Sequence, residues 1–144
     1  MNAKNMGKTE ITPELYKKIL YGLNLDNLFL ISCSSTIDRT NLGTEIEIKV
    51  KDDASFVKAE QNKIQIIHKY SLGAINKPTN KKFLTIKADF CLIYSSEEEF
   101  TEVFFERFKN ASLPINSWPF FREFVSNITS RMYIPPLTLP LIKR

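Results

Sequence analysis

Residues 96–144 read SEEEFTEVFFERFKNASLPINSWPFFREFVSNITSRMYIPPLTLPLIKR. Ser96 and Glu99 have the spacing of a capping box, and the acids at 97–99 suit the positive end of a helix dipole. Phe100, Val103, Phe104, Arg107 and Phe108 then fall on one stripe, which Phe105 widens. Asn110 is expected to stop this helix, and Pro114 and Asn116 to form a connector. A second helix is expected to begin at Ser117 or Trp118, with Pro119 in its first turn. Phe121, Phe124, Val125, Ile128 and Met132 form its apolar stripe, Pro135 and Pro136 end it, and an extended tail follows. Twelve of the 17 aromatic residues lie from Phe83 onward, more apolar surface than one helix pair needs. Phe104 and Phe105 are adjacent, as are Phe120 and Phe121. Helical neighbours point about 100° apart, so one buried face does not easily hold both members of a pair.

Upstream of this segment the period changes from helix to strand. Thr12 and Pro13 have the types expected at the N-cap and first position of a short helix, with Leu15, Ile19, Leu20 and Leu23 on its apolar side and Gly22 or Asn24 at its end. Residues 26–39 have no helical period. Residues 44–51 alternate strictly, with Ile46, Ile48 and Val50 opposite Glu45, Glu47, Lys49 and Lys51. Residues 63–72 set Ile64, Ile66, His68, Tyr70 and Leu72 on one side, and residues 83–94 do the same with Leu84, Ile86, Ala88, Phe90, Leu92 and Tyr94. A polar, Pro-containing turn spans 76–80. The order predicts an α+β chain: a four-stranded antiparallel sheet, a short N-terminal helix and two C-terminal helices. Phe83, Cys91 and Ile93 fall on the second face of the last strand, where a second subunit is expected to cover them.

A chain of 144 residues suits a single domain spanning 1–144, with 1–9 as a polar flexible tail. A net charge of +4 with scattered lysines does not make the basic stripe of a nucleic-acid binder. Cys33 and Cys91 lie far apart, without metal or redox spacing, and read as small buried hydrophobes in a reducing compartment. No signal-type run and no membrane-length apolar stretch occurs, so the chain is expected to be cytoplasmic.

No enzyme is expected. His68 is the one histidine and lies on an apolar strand face; with separated cysteines it offers no zinc set. The four glycines form no phosphate loop, and Ser34 and Ser35 lack a nucleophile-elbow frame. The sequons at Asn110 and Asn127 carry no weight without a secretion signal. No cofactor and no metal is expected.

The motifs also carry a family likeness. WPFFREFV at 118–125, TSRM at 129–132 and PPLTLPL at 135–141 resemble the C-terminal signature of SecB-like export chaperones. The start at Thr12, Pro13 and Glu14 resembles the SecB-like branch found outside the standard secretion chaperones. The likeness covers most of the chain in element order and residues 116–141 in specific motif. It implies a homotetramer built as a dimer of dimers, and an ATP-independent holdase that binds unfolded polypeptides along apolar grooves. The partners it implies are unfolded clients with either the SecA motor or an antitoxin; a dedicated partner of one protein is the alternative. Two departures stand out. The standard export chaperone is acidic and docks the motor through carboxylates on its sheet, whereas this chain is basic; and the sequence stops soon after the PPLTLPL segment.

On this reading Trp118, Phe120, Phe121, Phe124, Met132, Leu137 and Leu139 are the polypeptide-binding candidates. Phe100, Phe104 and Phe108 are the candidates for packing between subunits, and Phe104→Glu is expected to split the tetramer into dimers.

Overall fold

The structure is a computed structural model that describes residues 10–141. The expected tail at 1–9, Ile142 and the basic pair Lys143 and Arg144 lie outside the described residues. The elements are α1 (Pro13–Tyr21), β1 (Leu23–Ile37), a 3₁₀ turn (Arg39–Asn41), β2 (Ile46–Lys58), β3 (Lys63–Asn76), β4 (Lys81–Ser96), α2 (Glu102–Ala111) and α3 (Leu113–Arg131). The sheet is antiparallel throughout, in the order β1-β4-β3-β2. After β1 the chain crosses to the far edge through the 3₁₀ turn and returns by two hairpins. The first hairpin turns on Gln61 and Asn62, both at positive φ, and the second on Asn80; Asn tolerates that region better than most residues.

Alternation places Ile64, Ile66, Tyr70, Leu72 and Ala74 of β3, and the even positions 84–94 of β4, on one face. All three helices add to the core that this face begins. α1 starts as its sequence predicts: Thr12 Oγ1 accepts the Leu15 amide at 3.2 Å. Tyr16 and Ile19 of α1 are buried, and the Tyr16 ring stacks on Phe104 with centroids 5.0 Å apart.

Several expectations need correction. Ser96 caps no helix: it still pairs with Leu23 in the sheet and donates its amide to Asn62 O. Its hydroxyl turns back onto Glu98 O, and α2 begins later, capped by Thr101 Oγ1, which accepts from Phe104 N at 3.1 Å. The delay lets Phe100 drop into the core, 2% exposed, before the helix starts.

Residues 113–118 are not a connector. α3 opens at Leu113 with Pro114 in its first turn, so Trp118 and Pro119 lie inside the helix. Pro119 has no amide to offer the Ile115 carbonyl; the packing of Trp118 and Phe121 on Tyr70 holds the helix through that break.

β2 runs on past Lys51 to Lys58. Asp52, Asp53 and Ser55 are poor strand formers, yet the pairing with β3 is unbroken because Ala54 and Phe56 continue the inner face.

Phe83 belongs to the core. Ala74 pairs with Leu84 and Ile75 with Lys82, so Phe83 is the extra residue of a bulge. The bulge lets Phe83 and Leu84 both be buried.

The Phe104 and Phe105 pair is absorbed within the subunit because α2 is covered on two sides. Phe104 meets Tyr16, while Phe105 meets Phe56 of β2 at 4.6 Å. Phe100, Phe104 and Phe108 pack on one another, and Phe108 meets the Tyr94 ring edge-on at 5.6 Å. At 0–2% exposure they offer no area to a second copy. They are the centre of the subunit rather than a seam between subunits.

Candidate polypeptide-binding surface

The polar centre of the molecule is a chain of four side chains. His68 Nε2 lies 2.8 Å from Asp52 Oδ2, His68 Nδ1 lies 2.7 Å from Ser117 Oγ, and Ser117 Oγ lies 2.8 Å from Tyr70 OH. One proton arrangement satisfies all of them: Tyr70 donates to Ser117, Ser117 to Nδ1, and Nε2–H to the Asp52 carboxylate. Burial pushes the His68 pKa down, against the pull of Asp52 and the charge of Asp53, and burial raises Tyr70 to about 12 despite its bond to Ser117. Acid, imidazole and hydroxyl thus stand in line, as in a hydrolase triad. However, His68 and Ser117 are both 0% exposed, whereas a catalytic serine must present its oxygen to substrate. The hollow beside Asp52 and Asp53, about 200 Å³, is bordered by Lys109 and Asn110 and reaches neither His68 nor Ser117. The chain of bonds ties β2 and β3 to α3.

Because the folded state holds His68 neutral, the unfolded chain binds more protons below the ordinary histidine pKa. Stability is therefore complete above that value and falls as pH drops through it towards the lowered folded pKa. Between about pH 7 and pH 5 the melting temperature is expected to fall, with a slope of at most about 1.4 kcal/mol per pH unit. His68→Gln should flatten that slope while lowering stability at neutral pH. An unchanged slope in thermal melts would refute the assignment.

The binding candidates of α3 and the tail separate into three groups. Phe121 is 0% exposed and stacks on Tyr70 at 4.8 Å, and Leu139 is 5% exposed; both belong to the core. Trp118, Phe124, Met132 and Leu137 are half-buried and pack against that core. Phe120 is 48% exposed, with one ring edge on Phe90 at 6.3 Å.

The tail lies along α3 as an extended strap. Trp118 Nε1 donates to Pro140 O at 2.8 Å, Arg122 Nε to Leu139 O at 2.7 Å, and the Leu137 amide to Thr129 Oγ1 at 2.9 Å. Arg39 Nη1 holds the start of the strap through Met132 O at 2.7 Å. Beside the strap runs a hollow of about 600 Å³ lined by Arg122, Ser126, Asn127, Ser130 and Thr138, among others.

The open apolar surface is a shelf that the candidates from the C-terminal segment reach only in part. The inward side of β1 carries Leu25, Leu28 and Leu30, in register with Tyr94, Leu92 and Phe90. Leu25 and Leu30 remain 39% and 41% exposed although they share the core face. α3 borders them: Phe120 rests on Phe90, and Asn116 donates to Tyr94 OH at 2.8 Å, with Ile115 beside it 50% exposed. The β1 residues escape sequence reading because bulges between Leu25 and Asn27 and between Leu30 and Ser32 break their alternation.

A four-stranded sheet in this order, backed by a short helix and a helix pair, is a SecB-like fold. The SecB-like chaperone Rv1957 of Mycobacterium tuberculosis, solved in complex with a ChAD peptide from the Rv1956 HigA1 antitoxin, superposes with a TM-score of 0.75 at 15% identity. The match covers 86% of this chain and 92% of that one. A protein of unknown function from Streptococcus agalactiae superposes more loosely, with a TM-score of 0.42 at 11% identity, over 83% of this chain and 97% of its own. The sequence matches no protein-family model and no curated protein. No helix among the described residues is long and apolar enough to cross a membrane, and those residues contain no cluster fit to hold a metal ion.

Proposed function

We propose that the protein is an ATP-independent holdase that captures unfolded polypeptides on the shelf between β1 and α3. The observation that carries this reading is the exposure of Leu25, Leu30, Ile115 and Phe120 beside a core that buries the inner faces of β3 and β4. Each client side chain fully buried there contributes about 1.5–3 kcal/mol. Four such anchors supply about 6–12 kcal/mol before the client's association and ordering cost is subtracted, so a single shelf is expected to bind weakly and several copies together more tightly. Apolar contact is non-directional and tolerates many sequences. Trp118, Phe124, Met132 and Leu137, half-buried against the core near the strap, are proposed as further contacts for the client. The antitoxin peptide bound by the similar Rv1957 chain supports a peptide segment as ligand.

The assembly proposed is a cytoplasmic homotetramer, a dimer of dimers. β1 is an edge strand 15 residues long that leaves Leu25, Leu30 and Ile31 exposed. A long unprotected edge of this kind favours pairing with a second copy. Hand-over to the SecA motor and protection of an antitoxin are the two roles proposed for the captured client.

At near-stoichiometric tetramer and without nucleotide, the protein is expected to suppress aggregation of a chemically denatured model protein, followed by light scattering. No suppression at any ionic strength would overturn the holdase reading. Recovery of one protein alone from a denatured proteome would favour a dedicated partner instead.

A further inference from the structure

The outward face of the sheet carries a second surface, divided by register into two halves. Across β2, β3, β4 and β1 the outward residues fall in rows: Lys49, Gly73, Thr85 and Thr36; then Lys51, Ser71, Lys87 and Ser34. The bulge at Phe83 turns Lys82 outward beside Ile75. A side chain added at Gly73 would begin 3.3 Å from Lys82 Cε and 3.5 Å from its Nζ, so the missing side chain lets Lys82 lie across the sheet. Lys49, Lys51 and Lys82 border a hollow of about 360 Å³ floored by Gly73 and Ser71, with Lys87 next to Ser71 in register. Glu47 stands at one end. Among the described residues none of the four lysines has a carboxylate within 4.0 Å.

The next row reverses the charge: Asp53, Lys69 and Asp89, with Ser32 donating to Asp89. Beyond it Ile67, Cys91 and Phe29 stand in register, and Phe29 is 42% exposed. Cys91 is buried between the other two and needs no second subunit to cover it.

We infer that this outward face binds an acidic extended segment of a partner protein, its carboxylates on Lys49, Lys51, Lys82 and Lys87 and an apolar residue on Ile67 and Phe29. Alternate residues of an extended chain repeat every ~7 Å, the repeat of Lys49 and Lys51 along β2, and β4 lies about 10 Å across from β2. A short acidic run therefore meets several lysines at once, which matters because single exposed ion pairs are weak. Asp53 and Asp89 bound the lysine field. They repel a continuous phosphate backbone that crosses them, while a peptide passes that row with a neutral residue. Among the described residues that line the hollow there is no aromatic side chain to stack a base. This site is separate from the shelf and stands or falls independently of the holdase reading.

The test is fluorescence anisotropy on the full chain with a labelled peptide, Glu-Ser-Asp-Ser-Glu-Ser-Ser-Ser-Leu, whose alternate residues set three acids, a neutral residue and a leucine on successive rows, against the same peptide with lysine at each acidic position and against oligothymidylate. Binding of the acidic peptide is expected to weaken with salt and to fall about tenfold or more in Lys49→Glu/Lys87→Glu, and in Lys51→Ala/Lys82→Ala. All four side chains are exposed, so melting temperatures should hold. Shelf variants should leave this binding unchanged. Equal affinity for the basic peptide, indifference to both lysine pairs, loss in the shelf variants alone, or tighter binding of oligothymidylate would each overturn the inference.

Discussion

Phe104→Ala is expected to destabilise the subunit by about 3–5 kcal/mol, the usual cost of emptying a buried phenylalanine site. In a chain of this length that lowers the melting temperature by about 10–15 °C. The ring is 0% exposed and touches Tyr16, Phe100 and Phe108, so its removal opens a void where α1 and α2 meet. Phe104→Glu goes further. A carboxylate placed there is enclosed by the Tyr16, Phe100 and Phe108 rings, with Arg107 already stacked over Tyr16, and its cost consumes most of a folding stability of about 5–15 kcal/mol. The expected result is loss of the folded subunit, not a tetramer divided into dimers. Thermal melts followed by circular dichroism, with light scattering on the same samples, decide between them. Halved mass at an unchanged melting temperature would return Phe104 to a seam between copies.

Leu30→Asp combined with Phe120→Asp is expected to abolish client holding while the subunit stays folded. Both side chains are about half in water already, at 41% and 48% exposure, so acids there remain hydrated and leave no deep void. To a client the change is large. Two apolar anchors at about 1.5–3 kcal/mol each are lost, and each 1.4 kcal/mol is tenfold in affinity. A drop of about a hundredfold or more should therefore appear in binding of a labelled unfolded protein. Full retention of binding with a normal melt would move client capture off the shelf.

The architecture was legible because its signals are local. Strict alternation at 44–51, the apolar face at 84–94 and the Thr12–Pro13 cap each follow from neighbours in sequence. The failures came where two elements competed for the same residues. Ser96 and Glu99 have capping-box spacing, but Ser96 is already committed to β4, and no local rule announces that. Trp118 and Pro119 look like a helix start because proline favours the first turn; Pro114 has the same property and wins. Adjacent phenylalanines signalled excess surface correctly at 120 and 121, where one ring stays outside. The same signal failed at 104 and 105, where Phe56, from a stretch of β2 that the sequence does not announce, covers the second ring. The shelf was half legible. Its α3 side follows from helical periodicity, whereas its β1 side is scrambled by two bulges and shows only once register with β4 is known.

The strap has one further consequence. Trp118 and Arg122 grip it by its carbonyl oxygens, which every residue type supplies, and Pro135, Pro136 and Pro140 contribute no amides of their own. Identity matters at the Leu139 socket and hardly at Thr138, which faces solvent. Over evolutionary time this stretch can drift in composition far faster than the helix it lies on, provided aliphatic side chains keep returning to positions 137 and 139.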